Sequence, residues 1–273
     1  MLFNFELERV EDIEPWGKGD DLSLTWFGLS DGWYWIRAGE EELFRAKDSY
    51  LATFQRTQRL PYVNYQVVRL WEDLQDNLPG ILEPVPAVLL RQIEPGKRAD
   101  NWSGKILDHF FPDDVEFEGE VWENFCRATD WLHGRILSTG HLRNAPAIWL
   151  WNDGVILFLR WDSRQGDDDQ ERVWASEKGE LQLPMATFVE ELRDFDRRLI
   201  AAMEQRVLTL EQGKSRAPCA IDLKRLREEQ IERAESMDNA FRRAQAKTTS
   251  WDEVIAAIEF FRARGFDPAM EPM

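Results

Sequence analysis

A chain of 273 residues with 43% hydrophobic and 12% aromatic side chains has the material for a substantial core, which excludes a disordered protein. Its 51 acidic residues against 34 Lys and Arg leave a formal net charge of −17. Such a surface repels nucleic-acid phosphates and anionic lipid and favours a basic partner.

The charge is uneven. Residues 185–273 carry 15 Lys and Arg against 17 Asp and Glu, so almost all the net acidity falls on residues 1–184. No apolar run approaches the roughly 20 residues needed to span a bilayer. Glu6 and Glu8 stand where a signal peptide would need a basic start. Two distant cysteines, Cys126 and Cys219, make no disulfide framework. The expectation is a soluble, cytoplasmic protein that does not bind nucleic acid or membrane, with its oligomeric state open.

In chain order, Leu2–Leu7 alternates as a strand. Glu14-Pro15-Trp16-Gly17-Lys18-Gly19 reads as a loop from its Pro and Gly content. Leu22–Leu29 and Trp33–Ala38 flank a Ser30-Asp31-Gly32 corner. Aromatic and β-branched runs around Asp-Gly predict a β-hairpin, with a further short strand over Glu42–Ala46. Residues 64–83 change period: Tyr65, Val68, Trp71, Leu74 and Leu78 predict an amphipathic helix with Asn64 as N-cap, stopped or kinked at Pro79-Gly80. Pro84 and Pro86 introduce another helix to about Ile93, and Glu94–Gly104 reads as a loop. Glu118–Thr139 is predicted helical with Gly140 as C-cap.

Ala147–Trp151 and Val155–Trp161, around Asn152-Asp153-Gly154, predict a second Trp-rich hairpin. Asp162–Glu171 is an acidic loop, and Val173–Ala175 with Glu180–Leu183 suggests one more hairpin. The remainder is helical: Met185–Glu211, a charge-laced Ile221–Ala246 with interleaved Arg and Glu, and Trp251–Arg264. In the last, Ser250 and Glu253 stand in capping-box positions. The predicted fold is α+β, with an N-terminal antiparallel β-sheet with hairpins, a second Trp-rich hairpin and long C-terminal helices. The predicted division is an acidic domain over 1–183 and a helical section over 184–273.

Catalytic signatures are missing. No glycine-rich phosphate loop, Gly-x-Ser-x-Gly elbow, Cys-x-x-Cys pair or His-Glu-x-x-His appears, and only His109, His133 and His141 are available for imidazole chemistry. Glu123, Cys126, Asp130 and His133 share roughly one helical face, so a thiolate–imidazole pair or a zinc site is conceivable there. The same stripe carries Trp122, Phe125 and Trp131, which makes Cys126 more simply a small core residue. Asp113-Asp114, Asp162 and Asp167-Asp168-Asp169 lack the alternation of a calcium loop. No metal and no cofactor is expected.

The run Leu22–Ile36, LSLTWFGLSDGWYWI, followed by Val63–Leu74, VNYQVVRLWEDL, resembles an uncharacterised bacterial domain-of-unknown-function family with a WFGLTDGxYW-type N-terminal signature. The resemblance covers about the first 90 residues and implies no activity, cofactor or site residue. A looser likeness, through acidity and tryptophan content, is to immunity proteins that neutralise basic toxins. Two functions are carried forward. One is a non-enzymatic protein with a basic protein partner, anchored by whichever of Trp26, Trp33, Tyr34 and Trp35 faces outward. Strand alternation puts Trp33 and Trp35 on one face and leaves Tyr34 on the other. The alternative is an enzyme acting on a small polar substrate through Asp/Glu acid–base groups of raised pKa in a deep pocket.

Overall fold

The computed structural model describes residues 1–52, 59–92, 102–112, 118–164, 172–215, 217–246 and 248–266. The strands are β1 (Phe3–Leu7), β2 (Asp31–Ala38), β3 (Glu41–Leu43), β4 (Val63–Gln66), β5 (Ala147–Asn152), β6 (Ile156–Asp162) and β7 (Lys178–Pro184). The helices are α1 (Trp26–Leu29), α2 (Asp48–Leu51), α3 (Val67–Leu82), α4 (Trp102–Phe110), α5 (Gly119–His133), α6 (Met185–Glu211), α7 (Leu223–Ala234), α8 (Ser236–Ala246) and α9 (Trp251–Arg262). Both sheets are antiparallel, so the α+β expectation stands. No described helix is long and apolar enough to cross a membrane.

The chain forms two compact units that interleave in sequence. The first comprises Met1–Asp76, Arg172–Ser176 and Ala186–Arg242; the second comprises Asn77–Glu171, Glu177–Met185 and Arg243–Met273. This partition departs from a boundary at 183/184, because α6 packs on β1 and α7 engages Trp26 of α1 and Glu72 of α3.

In the first unit β2 is central, pairing with β1, β3 and β4. Tyr34, Ile36 and Ala38 are buried at alternate positions while Arg37 is exposed. Beneath them Phe3 of β1 meets Phe188 and Phe195 of α6 at ring separations of 6.2 and 5.6 Å. The buried stripe of α6, Phe188, Leu192, Phe195, Leu199, Met203 and Val207, recurs at three and four residues, as an amphipathic helix requires. Asp222 caps α7 by accepting from Arg225 N at 3.0 Å, and Arg227 is clamped between Glu204 and Glu211, each at 2.7 Å. The charge-laced segment divides at Glu235 into α7 and α8.

Local corrections have long-range causes. Leu22–Leu29 is not the first arm of a hairpin: Thr25 caps the helical turn α1, accepting from Gly28 N at 3.4 Å. Asn64 lies in β4 rather than capping α3; Ser30 caps that helix from afar, its carbonyl accepting from Val67 N at 2.9 Å and its hydroxyl from Val68 N at 3.3 Å. Val173–Ala175 pairs not with β7 but with residues 45–47, through Lys47 N to Val173 O and Ala175 N to Arg45 O, both 2.8 Å. The third strand ends at Leu43.

In the second unit β5, β6 and β7 form one sheet, and the Asn152-Asp153-Gly154 hairpin forms as predicted. Pro79-Gly80 does not stop α3, which runs on to Leu82. Gly80 instead lets the helix touch Gly134, where a Cβ would stand 2.3 Å from the Gly134 carbonyl oxygen. Helix α5 ends at His133 rather than at Gly140, because residues 135–137 pair beside β5: Leu150 N bonds Arg135 O at 2.8 Å and Leu137 N bonds Ile148 O at 3.0 Å. Within Glu94–Gly104, the described residues from Trp102 on begin α4. The predicted helix after Pro86 is a 3-10 turn over Ala87–Gln92. Ser250 precedes α9 without a side-chain capping bond.

The core of this unit gathers Val85, Ile106, Phe125, Trp131, Trp151, Ile258 and Phe261. Beside it the fully buried Arg135 lies between the rings of Trp131 and Trp251, 5.4 and 5.5 Å from their centres. Its partner is Glu83 at 3.4 Å, whose carboxylate also accepts from the Thr249 hydroxyl at 2.6 Å. A buried guanidinium is tolerable only with such pairing.

Candidate interaction surface

The tryptophan left most open in the first unit is none of those in the aromatic run. Trp16 is 46% exposed. It follows the 3-10 turn Val10–Asp12, which the buried Ile13 pins down. A two-way backbone bridge then closes the loop, with Trp16 N to Ser23 O at 3.0 Å and Ser23 N to Trp16 O at 2.8 Å. Between them Gly17 adopts φ +105° and passes so close to Asp21 that a Cβ would lie 2.3 Å from the Asp21 carbonyl oxygen. Only glycine satisfies both demands.

The Trp16 ring rests on Phe27, 5.6 Å centre to centre, and Leu22 adds further exposed apolar surface. Here α1 divides two adjacent aromatics. Trp26 turns fully inward and donates its indole N–H to Gln230 at 2.7 Å, whereas Phe27 turns partly outward to support Trp16. Residues 8–22 hold six carboxylates and two cations. Glu11, Asp12, Glu14 and Asp21 are exposed, and Arg9 is engaged with Asp12 at 2.5 Å. The result is an aromatic ledge set in negative charge.

The predicted anchor residues are placed differently. Trp26 is completely buried, Trp33 is 3% exposed and Tyr34 is 1% exposed. Strand alternation does set Trp33 and Trp35 opposite Tyr34, but both faces are covered. Tyr34 faces the core beside Phe44, while Arg59 lies over Trp33 at 5.3 Å and Tyr62 stacks flat on Trp35 at 4.1 Å. Trp35 alone of the four keeps partial exposure. A large aromatic in a Pro- and Gly-rich loop, outside any apolar period, was the available signal for Trp16.

The polar cluster on α5 does not converge. Glu123 pairs with Arg127 at 3.5 Å, and Asp130 with His133 at 3.7 Å, the latter two mostly exposed. Cys126 is half-buried, and burial together with Asp130 pushes its thiol up, away from the reactive thiolate. No group of metal-ligating side chains gathers among the described residues. Residues 113–114 and 167–169 lie outside the described residues.

Among the described residues, the carboxylates that burial raises, Asp31, Asp73 and Asp196, do not line the hollow that the structure offers. A hollow of about 400 Å³ on β6 and β7 is lined by Arg160, Trp161, Asp162, Arg164, Lys178 and Glu180. Burial pushes Asp162 and Glu180 up, but the Arg164 clamp on Asp162, and Gln182 with Arg160 on Glu180, outweigh it and hold both below the ordinary range. Asp73 shows the opposite shift: burial pushes it up to about 7 against the pull of Arg69, 3.5 Å away. It sits on α3 with 8% of its side chain exposed and lines no part of that hollow.

No curated protein and no solved structure matches the chain. The family model DUF5984, described as a family of unknown function, matches residues 2–257, and the chain belongs to that family.

Proposed function

We propose that this chain is a non-enzymatic binding protein that holds a basic protein partner on the loop around Trp16. The observation that supports the reading is a half-exposed tryptophan seated on Phe27 in a bridged loop whose exposed rim is mainly carboxylate. Tryptophans dominate interface energetics when a polar rim excludes water around them. A loop closed by its own backbone loses little conformational freedom on binding. The carboxylates would steer a basic surface toward the ring and make capture weaken with salt. An immunity- or defence-type role, the masking of a basic toxin, follows the same logic and belongs to the same proposal.

A photo-reactive residue at Leu22, on the same loop, tests this in the cells of origin against a control at Val155, which is 70% exposed in the second unit. The Leu22 probe should trap one basic chain, and reversing Glu11 and Glu14 to Lys should cut the yield about tenfold. Equal yields from both positions, or a trapped chain without basic character, would sink the reading.

A further inference from the structure

The molecule repeats one three-part arrangement: a tryptophan face, a guanidinium over it and a carboxylate on that guanidinium. Arg233 lies 4.4 Å from the Trp26 ring centre and bonds Glu72 at 2.7 Å. Arg59 lies over Trp33 and pairs with Glu6. Arg160 lies 5.0 Å from Trp151 and bonds Glu180 at 2.5 Å. Arg135 between Trp131 and Trp251, with Glu83, is the buried version. The physics is common to all of them. The ring face attracts the cation, and the planar guanidinium stacks while its edge N–H groups stay free for a carboxylate.

Trp16 has the ring and the neighbouring carboxylates but lacks the cation. Its ring meets Phe27, and no guanidinium lies over it among the described residues. Arg9, the nearest arginine in sequence, is turned to Asp12 and Glu11 at 2.5 and 3.8 Å. We infer that the partner completes this arrangement, laying an arginine of its own on the outer face of Trp16 with its N–H edge toward the loop carboxylates. The inference rests on the docking reading above and narrows it from basic surface to arginine. Lysine, a compact and strongly hydrated charge, satisfies the carboxylates equally but stacks less well on the ring.

The probes are an arginine octapeptide and a lysine octapeptide, titrated into the full chain at low salt. Binding is followed through the tryptophan indole N–H resonances, and the signal missing from Trp16→Phe identifies Trp16. The Arg peptide should shift the Trp16 signal and bind about three- to fivefold more tightly than the Lys peptide. In Trp16→Leu, which keeps apolar bulk without a π face, the two peptides should become equal. The other indole signals, unchanged in that variant, report that it is folded. Equal affinities for wild type, or preference for arginine that survives Trp16→Leu, would overturn the arginine assignment while leaving acidic docking in place. Failure of both peptides to bind would overturn the docking reading as well.

Discussion

Two stretches of this chain look alike on paper and fold in opposite ways. Residues 22–38 and 147–161 both set an Asp-Gly corner between aromatic runs. In the second stretch the corner is a turn: Asn152 Oδ1 accepts from Gly154 N at 2.8 Å, Asp153 accepts from Val155 N and Ile156 N at 2.9 and 2.8 Å, and Gly154 takes φ +102°. In the first stretch Asp31 and Gly32 already belong to β2, and the chain before them is the helical turn α1. Gly32 is there for a different reason. It faces Leu7 across the ladder, where a Cβ would stand 2.3 Å from the Glu6 carbonyl oxygen. The same dipeptide serves a turn in one place and a close strand approach in the other, and partners 25 to 35 residues away decide which.

Alanine at each glycine separates these roles most sharply. Gly32→Ala drives a methyl into backbone atoms that cannot rotate aside, and we expect a loss of about 3 kcal/mol. Gly154→Ala has open space around its Cβ, with Pro84 4.0 Å off, so only the backbone conformation is strained. The expected loss there is about 1–2 kcal/mol. Denaturant unfolding of the two variants measures the difference. Equal losses, or a larger one at Gly154, would mean that Gly32 acts as a turn residue after all.

The two aspartates give a finer comparison, because pH moves them in opposite senses. Backbone N–H groups of Ile156 and Val155 hold Asp153 below its ordinary 3.8. A depressed carboxylate stabilises the fold above its unfolded pKa and loses that contribution as pH falls through the folded value. Asp153→Ala should therefore cost about 1 kcal/mol at neutral pH and progressively less in acid. Asp31 is pushed above 3.8, chiefly by burial. Its contribution is fully present below 3.8 and is lost as pH rises through the raised value. Asp31→Asn should gain less than about 1 kcal/mol at neutral pH, with the gain vanishing in acid. Stability curves of both variants from pH 3 to 8 should diverge; parallel curves would contradict the pairing of roles.

These contrasts also show what was readable in the residues. The β5–β6 hairpin was legible because the bonds that close its corner, from Gly154 N, Val155 N and Ile156 N to the Asn152 and Asp153 side chains, are made within three residues, and α6 because its apolar stripe keeps helical period along a helix of 27 residues. The first aromatic run was not, since its fate depends on Thr25 forming a cap and on Ser30 reaching Val67 and Val68. Likewise Arg135 carries no local sign of burial; its place is set by Glu83, 52 positions before it, which is held in turn by Thr249, 166 positions from Glu83. Of the candidate site, the acidity and the need for an outward aromatic were visible. Which ring answers it was hidden, because Arg59 and Tyr62 cover the outer face of β2 that strand alternation alone would leave open.

Set against the buried Trp26, Trp16 should matter little to stability, and for that reason it is the more telling of the two. A tryptophan that serves the core is costly to remove: Trp26, fully buried and bonded to Gln230, should lose about 3–5 kcal/mol on truncation to Ala. Trp16 spends its ring on Phe27 and solvent, so Trp16→Ala should cost about 1 kcal/mol, the worth of that ring contact. A loss of more than about 2 kcal/mol would reassign Trp16 to the core, on a level with the rings of β2, and its exposure would then be incidental. A small loss would leave the ring, held in place by a glycine at φ +105° and a two-way bridge, available for the docking role proposed above.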